Sequence, residues 1–487
     1  MEEENLARAF DTMSFLSPPI VRSAGAILDR SLFSKTFPIT AARITNLKKI
    51  SQYRAQLEKT RELLRLERIT NVQPDPDPTL ASKGAKCMLL SPDVKPGDSN
   101  TWSTSLRDAV QQKDVEVVPY GLKLDYNHWT YHDIMKSILP DEDQEEIPVG
   151  FAIVGHVAHL NLRDEYLKYK NLIAEVLVDK NPNIRTVINK VDDVGTHSEF
   201  RTFDYEVLAG PDDMDVEISE GDCIFRFNYS KVYWNSRLQT EHKRLVDSFN
   251  RGEVVCDVMA GVGPFAIPAG KKGVFVWAND LNPASYESMK DAIVRNKVQP
   301  FVRPHCEDGH TFIRSAADNL LSLTSTGQNT TTLPAKSHRP RPGAGPPPAP
   351  TVLTIPSTIS HFVMNLPATA IDFLGSFNGF YAGHEALFAG DDAQARRLPM
   401  VHVHCFSTKS DDNLAESHEI CERITEKLRY QVRPRIGQGR NVGIEDWEKL
   451  GLEEGEVLIR EVRDVAPKKR MFCASFRIPR EVAFRSR

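Results

Sequence analysis

The 487-residue sequence has no apolar run approaching the roughly 20 residues that a membrane-spanning helix needs. Its opening, MEEENLARAFDTMSF, is acidic and lacks a secretory apolar core, so no membrane association is expected. Residues 16–49 carry Arg22, Arg30, Lys35, Arg43, Lys48 and Lys49 and have a weak mitochondrial-targeting character, interrupted by Asp29. Cysteine is sparse: Cys87, Cys223, Cys256, Cys306, Cys405, Cys421 and Cys473 are scattered, odd in number and never spaced C-x-x-C. That pattern speaks against a disulfide framework or a zinc site and fits a reducing compartment. Excess positive charge is also missing. The formal net charge is −5, whereas a broad nucleic-acid-binding domain is usually basic, so any nucleic-acid contact has to be local. Internal repeats are absent. The 40% hydrophobic and 26% charged residues suit a soluble globular protein, and the length allows several domains.

The chain divides by composition. Residues 47–69 have helical apolar spacing with charges between and predict an amphipathic helix; PDPDPTL at 74–80 is a turn or linker, and the acidic junction DEDQEE at 141–146 ends an N-terminal region near 145. Residues 146–245 predict a middle α/β domain. It opens with PVGFAIVGHVAHLN as a buried strand and ends in SRLQTEHKRLVDSF, an amphipathic helix. Residues 246–487 form the third domain. Within it, 324–352 are rich in Pro, Thr and Gly, almost without apolar residues, and predict a disordered insertion in a loop.

The most informative stretch is VVCDVMAGVGPFAIPA followed by VFVWANDLNP. It reads as strand, glycine loop, helix and second strand ending in an acid, the unit that builds a nucleotide crevice at the carboxyl ends of a parallel sheet. Gly261 permits a sharp turn, and Gly263 lets backbone approach a ligand. Asp280 is placed to accept bonds from ribose hydroxyls, Asp308 to bond an adenine amino group with Gly309 leaving room, and Asp257 to lie near a cofactor's amino acid. GVGPFA also satisfies G-x-G-x-x-A, which leaves a dinucleotide or a purely structural turn open. The D-x-x-A-G-x-G loop, the Gly263-to-Asp280 spacing and a later strand ending in Asn-Leu-Pro favour S-adenosyl-L-methionine.

That later strand is FVMNLPA, 362–368. Asn365 offers one acceptor and two donors, and Pro367 stiffens the turn, so the loop can hold a planar amide-like edge. A plain strand-ending turn is the alternative. Methylation of a protonated ring nitrogen needs a base. Glu241, beside His242 and flanked by Arg237 and Arg244 in RLQTEHKR, is a candidate, against the plainer reading of a charged helix face.

NSRLQTEHKRL, VCDVMAGVGPFAIPA, NDLNP, EDG and FVMNLPA together resemble the archaeal and eukaryotic tRNA (guanine(37)-N1)-methyltransferases, and LSPPIVRSAGAILDRSLFSKTF looks like the eukaryotic branch. The resemblance covers nearly the whole chain outside 324–352. It implies an α/β fold: a Rossmann-like class I S-adenosylmethionine methyltransferase domain at 246–487, preceded by smaller α/β domains, the first of which, in 1–145, contacts the outer corner of tRNA. It implies methyl transfer to N1 of guanine 37 with Glu241 as general base, Arg201 stabilising O6, Asn365 holding the guanine edge and Pro367 shaping its loop. Similarity points to His242, Asp280, Leu281, Asp308, Gly309 and Asn365 at the cofactor, with no metal. It further implies tRNA as partner, a monomer, and distribution among cytoplasm, nucleus and mitochondrial matrix. The tRNA backbone then needs positive surface, for which Arg185, Lys190, Lys231, Lys243, Arg433, Arg435, Arg440, Lys468, Lys469 and Arg470 are candidates. Another RNA base N-methyltransferase using Asn-Leu-Pro, for instance one acting on an exocyclic amine, and a non-catalytic tRNA-binding protein are the competing readings.

Overall fold

In the computed structural model the described residues are 16–22, 27–144, 147, 150–191, 200, 202–333, 350–389, 397–435 and 451–486. They fall into two compact units: the first holds residues up to 151 with 160–189 and 207–210, the second 152–159, 190–206 and 211–487. The segment 146–245 is thus shared between the two units.

The first unit contains a four-stranded antiparallel sheet in the order Val72–Pro74, Lys86–Leu89, Lys35–Ile44, Val115–Leu124. Ala42, Ile44, Tyr53, Leu57, Leu106 and Val115 form its core, where helices Ile50–Lys59 and Thr104–Gln111 bury their apolar faces. The helix expected over 47–69 ends at Lys59. The chain then turns at Arg61 (φ 61°), and Leu63 and Leu64 are drawn into the sheet, where Leu64 N–H donates to the Leu89 carbonyl at 3.0 Å. Burial of two leucines at the sheet edge outweighs helical spacing there. Ser103 caps the second helix by accepting from Leu106 N–H at 3.1 Å.

The second unit is built on an eight-stranded sheet. Its strands are β1 (Val254–Asp257), β2 (Phe275–Asn279), β3 (Val302–His305), β4 (His361–Met364), β5 (Met400–Ser407), β6 (Arg433–Pro434), β7 (Glu456–Ala466) and β8 (Lys469–Arg477). The order is β3-β2-β1-β4-β5-β8-β7-β6. β1 to β5 run parallel; β8 is antiparallel to both β5 and β7. The helices are α1 (Gln239–Ser248), α2 (Ala266–Lys272), α3 (Pro283–Arg295), α4 (Gly309–Ser325) and α5 (Leu414–Leu428). Buried Phe362, Phe377, Phe380, Tyr381, Phe472 and Phe476 pack in the core beside the sheet. Strand order reverses between β1 and β4, which opens a crevice at the carboxyl ends of these strands.

Two expectations need correction. PVGFAIVGHVAHLN is not one strand: Ala152–Val154 and Val157–Leu160 pair as a tight hairpin, because Gly155 (φ 58°) turns the chain. Nor is 324–352 disordered throughout. Its beginning completes α4, and Thr330–Leu333 pairs antiparallel with Thr351–Thr354, since β-branched threonines suit a ladder; 334–349 lie outside the described residues. Among the described residues no helix is long and apolar enough to cross a membrane.

Candidate active site

The loop after β1 is fixed by backbone bonds. Ala260 N–H donates to the Asn279 carbonyl at 2.7 Å and Gly263 N–H to the Ala260 carbonyl at 2.9 Å. Gly261 (φ 56°) and Gly263 (φ 95°) both occupy the left-handed region that favours glycine. Their roles differ from the expected division. A Cβ on Gly263 would lie 2.8 Å from Ile267 Cγ1, so this glycine seats α2, whereas a Cβ on Gly261 would meet nothing within 4 Å and faces open space. It is therefore Gly261 that leaves room for a ligand.

Asp280 is anchored at the end of β2, accepting from Gly261 N–H at 2.7 Å and Asn282 N–H at 2.9 Å. Burial raises its carboxyl pKa above the usual value despite those two bonds. Asp257 ends β1, fully buried, and neither carboxylate oxygen has a partner. Burial, with the nearby Asp280 charge adding to it, pushes Asp257 well above the ordinary carboxylate range. A buried acid with both oxygens unsatisfied at the mouth of a glycine loop fits a cationic ligand group such as an amino acid's ammonium.

Asp308 caps α4, accepting from Thr311 N–H at 3.1 Å, and the space a Cβ on Gly309 would take is filled by Phe373, 2.9 Å away, and Val258. Leu281 is exposed. Asn365 follows Met364, the register partner of Val403, so the strands bring Asn365 and His404 to adjoining positions. Its Oδ1 is buried without a partner, and the Pro367 carbonyl accepts from Phe406 N–H at 3.0 Å, fastening the Asn-Leu-Pro turn to β5.

On α1, Glu241 is buried and bound on both oxygens. Arg244 donates through Nε and Nη2 at 2.7 Å each, and His404 Nε2 donates at 2.8 Å. Burial alone would raise the Glu241 pKa; the two cationic partners outweigh it and hold the carboxyl far below its usual range. His404 is driven the other way. Burial lowers it, but Cys473 and Glu241 outweigh that and lift it to about 10. Glu241, His404 and Cys473 place one ligand atom each within 4.8 Å of one another, a set that a metal could use. The Arg244 guanidinium already occupies both Glu241 oxygens, so the cluster is an ion-pair network. His242 Nδ1 bonds Glu220 Oε1 at 2.6 Å, and its ring meets Phe265 edge-on at 4.8 Å.

The structure thus gathers Glu241, His242, Asp257, Gly261, Gly263 and Asp280 around α1 and the carboxyl ends of β1 and β2, with Asn365 closing β4. Arg201 and Arg440 lie outside the described residues. Arg470 is not available for phosphate: it is buried and held by Asp464 at 2.8 Å and Glu461 at 3.1 Å. Two contributors escaped the sequence reading. His404 lies on a strand with nothing local to mark it. Asn279 ties three loops together, donating to the Val258 and Glu307 carbonyls at 3.1 and 2.9 Å and accepting from Glu307 N–H at 2.9 Å; its place at the end of VFVWAN and at the head of NDLNP is the signal that marks it, though neither points to this role.

Residues 131–213 match the model of the TYW2 N-terminal domain, and 217–328 match that of the TRM5/TYW2 methyltransferase domain. A tRNA (guanine(37)-N(1))-methyltransferase of Neurospora crassa is 56% identical over 98% of this chain and 96% of its own length. A protein of the same name from Schizosaccharomyces pombe is 42% identical over 94% of each. Among solved structures, Trm5b of Pyrococcus abyssi superposes with a TM-score of 0.53 at 21% identity, covering 91% of this chain and 99% of that one. A complex of aTrm5 with tRNALeu gives 0.55 at 20%, covering 90% and 99%. These two likenesses show the Rossmann-like fold.

Proposed function

The chain belongs to the tRNA (guanine(37)-N(1))-methyltransferases, and from that premise we infer that it transfers a methyl group from S-adenosyl-L-methionine to N1 of guanine 37 in tRNA. The 56% identity across 98% of the chain carries this reading. The two orphaned oxygens of Asp257 and the open space over Gly261 suit an amino-acid-bearing nucleoside. Asp257 would hold the ammonium, and Asp280, whose carboxylate keeps lone pairs beyond its two backbone bonds, the ribose; Leu281, Asp308 and Gly309 would border the adenine, with His242 and Asn365 alongside. When bound, this cofactor supplies an electrophilic methyl group.

Guanine N1 carries a proton at neutral pH, and Glu241 is the base proposed to take it. A carboxylate held by Arg244 and His404 binds protons weakly at rest. It need not be strongly basic, because the N1–H becomes acidic as N1 acquires its new bond. Arg201 is proposed to steady the charge growing on O6, as donors do in an oxyanion hole. The unpartnered Oδ1 of Asn365 supports its proposed hold on the guanine edge, with Pro367 setting the turn. The base must leave its stack to reach this site, at about a few kcal/mol. Lys190, Lys231 and Lys243 are proposed among the phosphate contacts. By family likeness we also propose a monomer, distributed among cytoplasm, nucleus and mitochondrial matrix; light scattering and fractionation test these.

Mass mapping of the nucleoside formed on a tRNA transcript tests the reading. N1-methylguanosine at position 37, absent when that G is changed to A, is the expected result. Methylation of an exocyclic amine would instead favour the competing enzyme class, for which Glu241→Gln is nearly silent.

A further inference from the structure

Three parts of the crevice meet at one buried side chain, His404 of β5. Its Nε2 donates to Glu241 Oε1 on α1 at 2.8 Å. Its ring lies 6.0 Å from that of Phe265, in the turn that leads from the glycine loop into α2. The β4–β5 register, with Met364 beside Val403, puts Asn365 at the adjoining position. On the other side, Cys473 of β8 is its register partner. A buried imidazole costs stability unless its polar atoms are used, and here the use is a bond to the candidate base.

That bond makes the two carboxylate oxygens of Glu241 unequal. An ionised carboxylate offers about four lone-pair sites, two on each oxygen. On Oε1 both are taken, by Arg244 Nη2 at 2.7 Å and His404 Nε2 at 2.8 Å. On Oε2 one is taken, by Arg244 Nε at 2.7 Å, and among the described residues no second donor reaches it. The Arg244 fork gives one bond to each oxygen and treats them alike. The difference comes from His404.

We propose that Oε2 of Glu241 is the atom that takes the proton from the substrate nitrogen, and that His404 and Arg244 are positioning residues that commit Oε1 and hold Oε2 for it. The proposal rests on Glu241 being the base. The N1–H bond breaks as the N1–methyl bond forms and the methyl–sulfur bond breaks, its electron pair staying on sulfur. The proton joins the open lone pair of Oε2. His404 and Arg244 stay donors throughout and neither gives up nor takes a proton. Once the methylated base has left, Oε2 passes its proton to water, a release favoured by the low proton affinity that Arg244 and His404 impose against burial. The alternative role for Arg244 is a latch that swings off Glu241. Its side chain is only 12% exposed, and Cys473 lies beside it as well as beside His404, so the fork is part of the packed interior.

Single-turnover methylation of a guanine-37 transcript by the full chain, at saturating cofactor and neutral pH, tests the assignment. His404→Leu is expected to slow it about 10- to 100-fold with S-adenosyl-L-methionine affinity unchanged, because a misplaced base loses rate rather than binding. His404→Gln, whose amide N–H can replace Nε2 as donor to Oε1, is expected to bring the rate back to within about threefold of the wild type. Arg244→Lys puts a point charge in place of the fork and is expected to slow the reaction about tenfold; it keeps the test decisive if His404→Leu does not fold. A wild-type rate in folded His404→Leu, a His404→Gln rate as low as that of His404→Leu, or a wild-type rate in Arg244→Lys overturns the assignment. If Glu241→Gln is itself silent, the base reading fails; if it is inactive while His404→Leu and Arg244→Lys are normal, only the positioning fails.

Discussion

His404 Nε2 stands 2.8 Å from Glu241 Oε1, although the two residues are 163 positions apart. Arg244 and then His404 hold Glu241 down, while Cys473 and then Glu241 hold His404 up, so the two groups shift in opposite directions and stability should report it. Glu241 titrates below its ordinary value of 4.5, so its contribution is present above that pH and lost as pH falls toward the folded value. His404 is raised from 6.5 to about 10, so its contribution is complete below 6.5 and lost as pH rises through about 10. Thermal melts of wild type and His404→Gln should therefore differ most at roughly pH 5–6.5 and converge on either side. A difference independent of pH would contradict the pair.

Asp257 carries the opposite sign. An acid whose folded pKa lies well above its ordinary 3.8 destabilises the fold as pH rises past that value. Asp257→Asn should raise the Tm of the cofactor-free protein at pH 7, and the gain should vanish toward pH 4. Calorimetry should show S-adenosyl-L-methionine binding weakened by about 10- to 100-fold, the worth of a charged hydrogen bond.

The two loop glycines should separate folding from binding. Gly263→Ala combines a positive φ with a Cβ 2.8 Å from Ile267 and should cost about 1–3 kcal/mol of stability. Gly261→Ala meets no neighbour, so its folding cost should be nearer 1 kcal/mol, from φ alone, while cofactor affinity falls by more than for Gly263→Ala. Denaturation and calorimetry on both variants check the contrast.

Much of this was legible because local signals and tertiary demands agree. VVCDVMAGVG carries its strand, its turn and its acid within ten residues, and FVMNLPA ends its strand where the Asn and Pro require. The failures have a common cause. Leu63 and Leu64 continue a helical spacing, but the sheet edge buries them. His404 reads as one residue of an apolar strand; only the β5–β8 pairing and the approach of α1 give it Glu241 and Cys473 as neighbours. Gly263 looks like the ligand-facing glycine until Ile267 is seen to occupy its space. Contacts between residues distant in sequence leave no periodic trace.

The proton-accepting role of Glu241 is tested most directly by single-turnover methylation of a guanine-37 transcript with Glu241→Gln, alongside calorimetric binding of S-adenosyl-L-methionine. The rate should fall by about 10²- to 10⁴-fold, the span of a lost general base, with cofactor affinity essentially kept. A rate close to that of the wild type, in a folded variant that binds the cofactor normally, would contradict it.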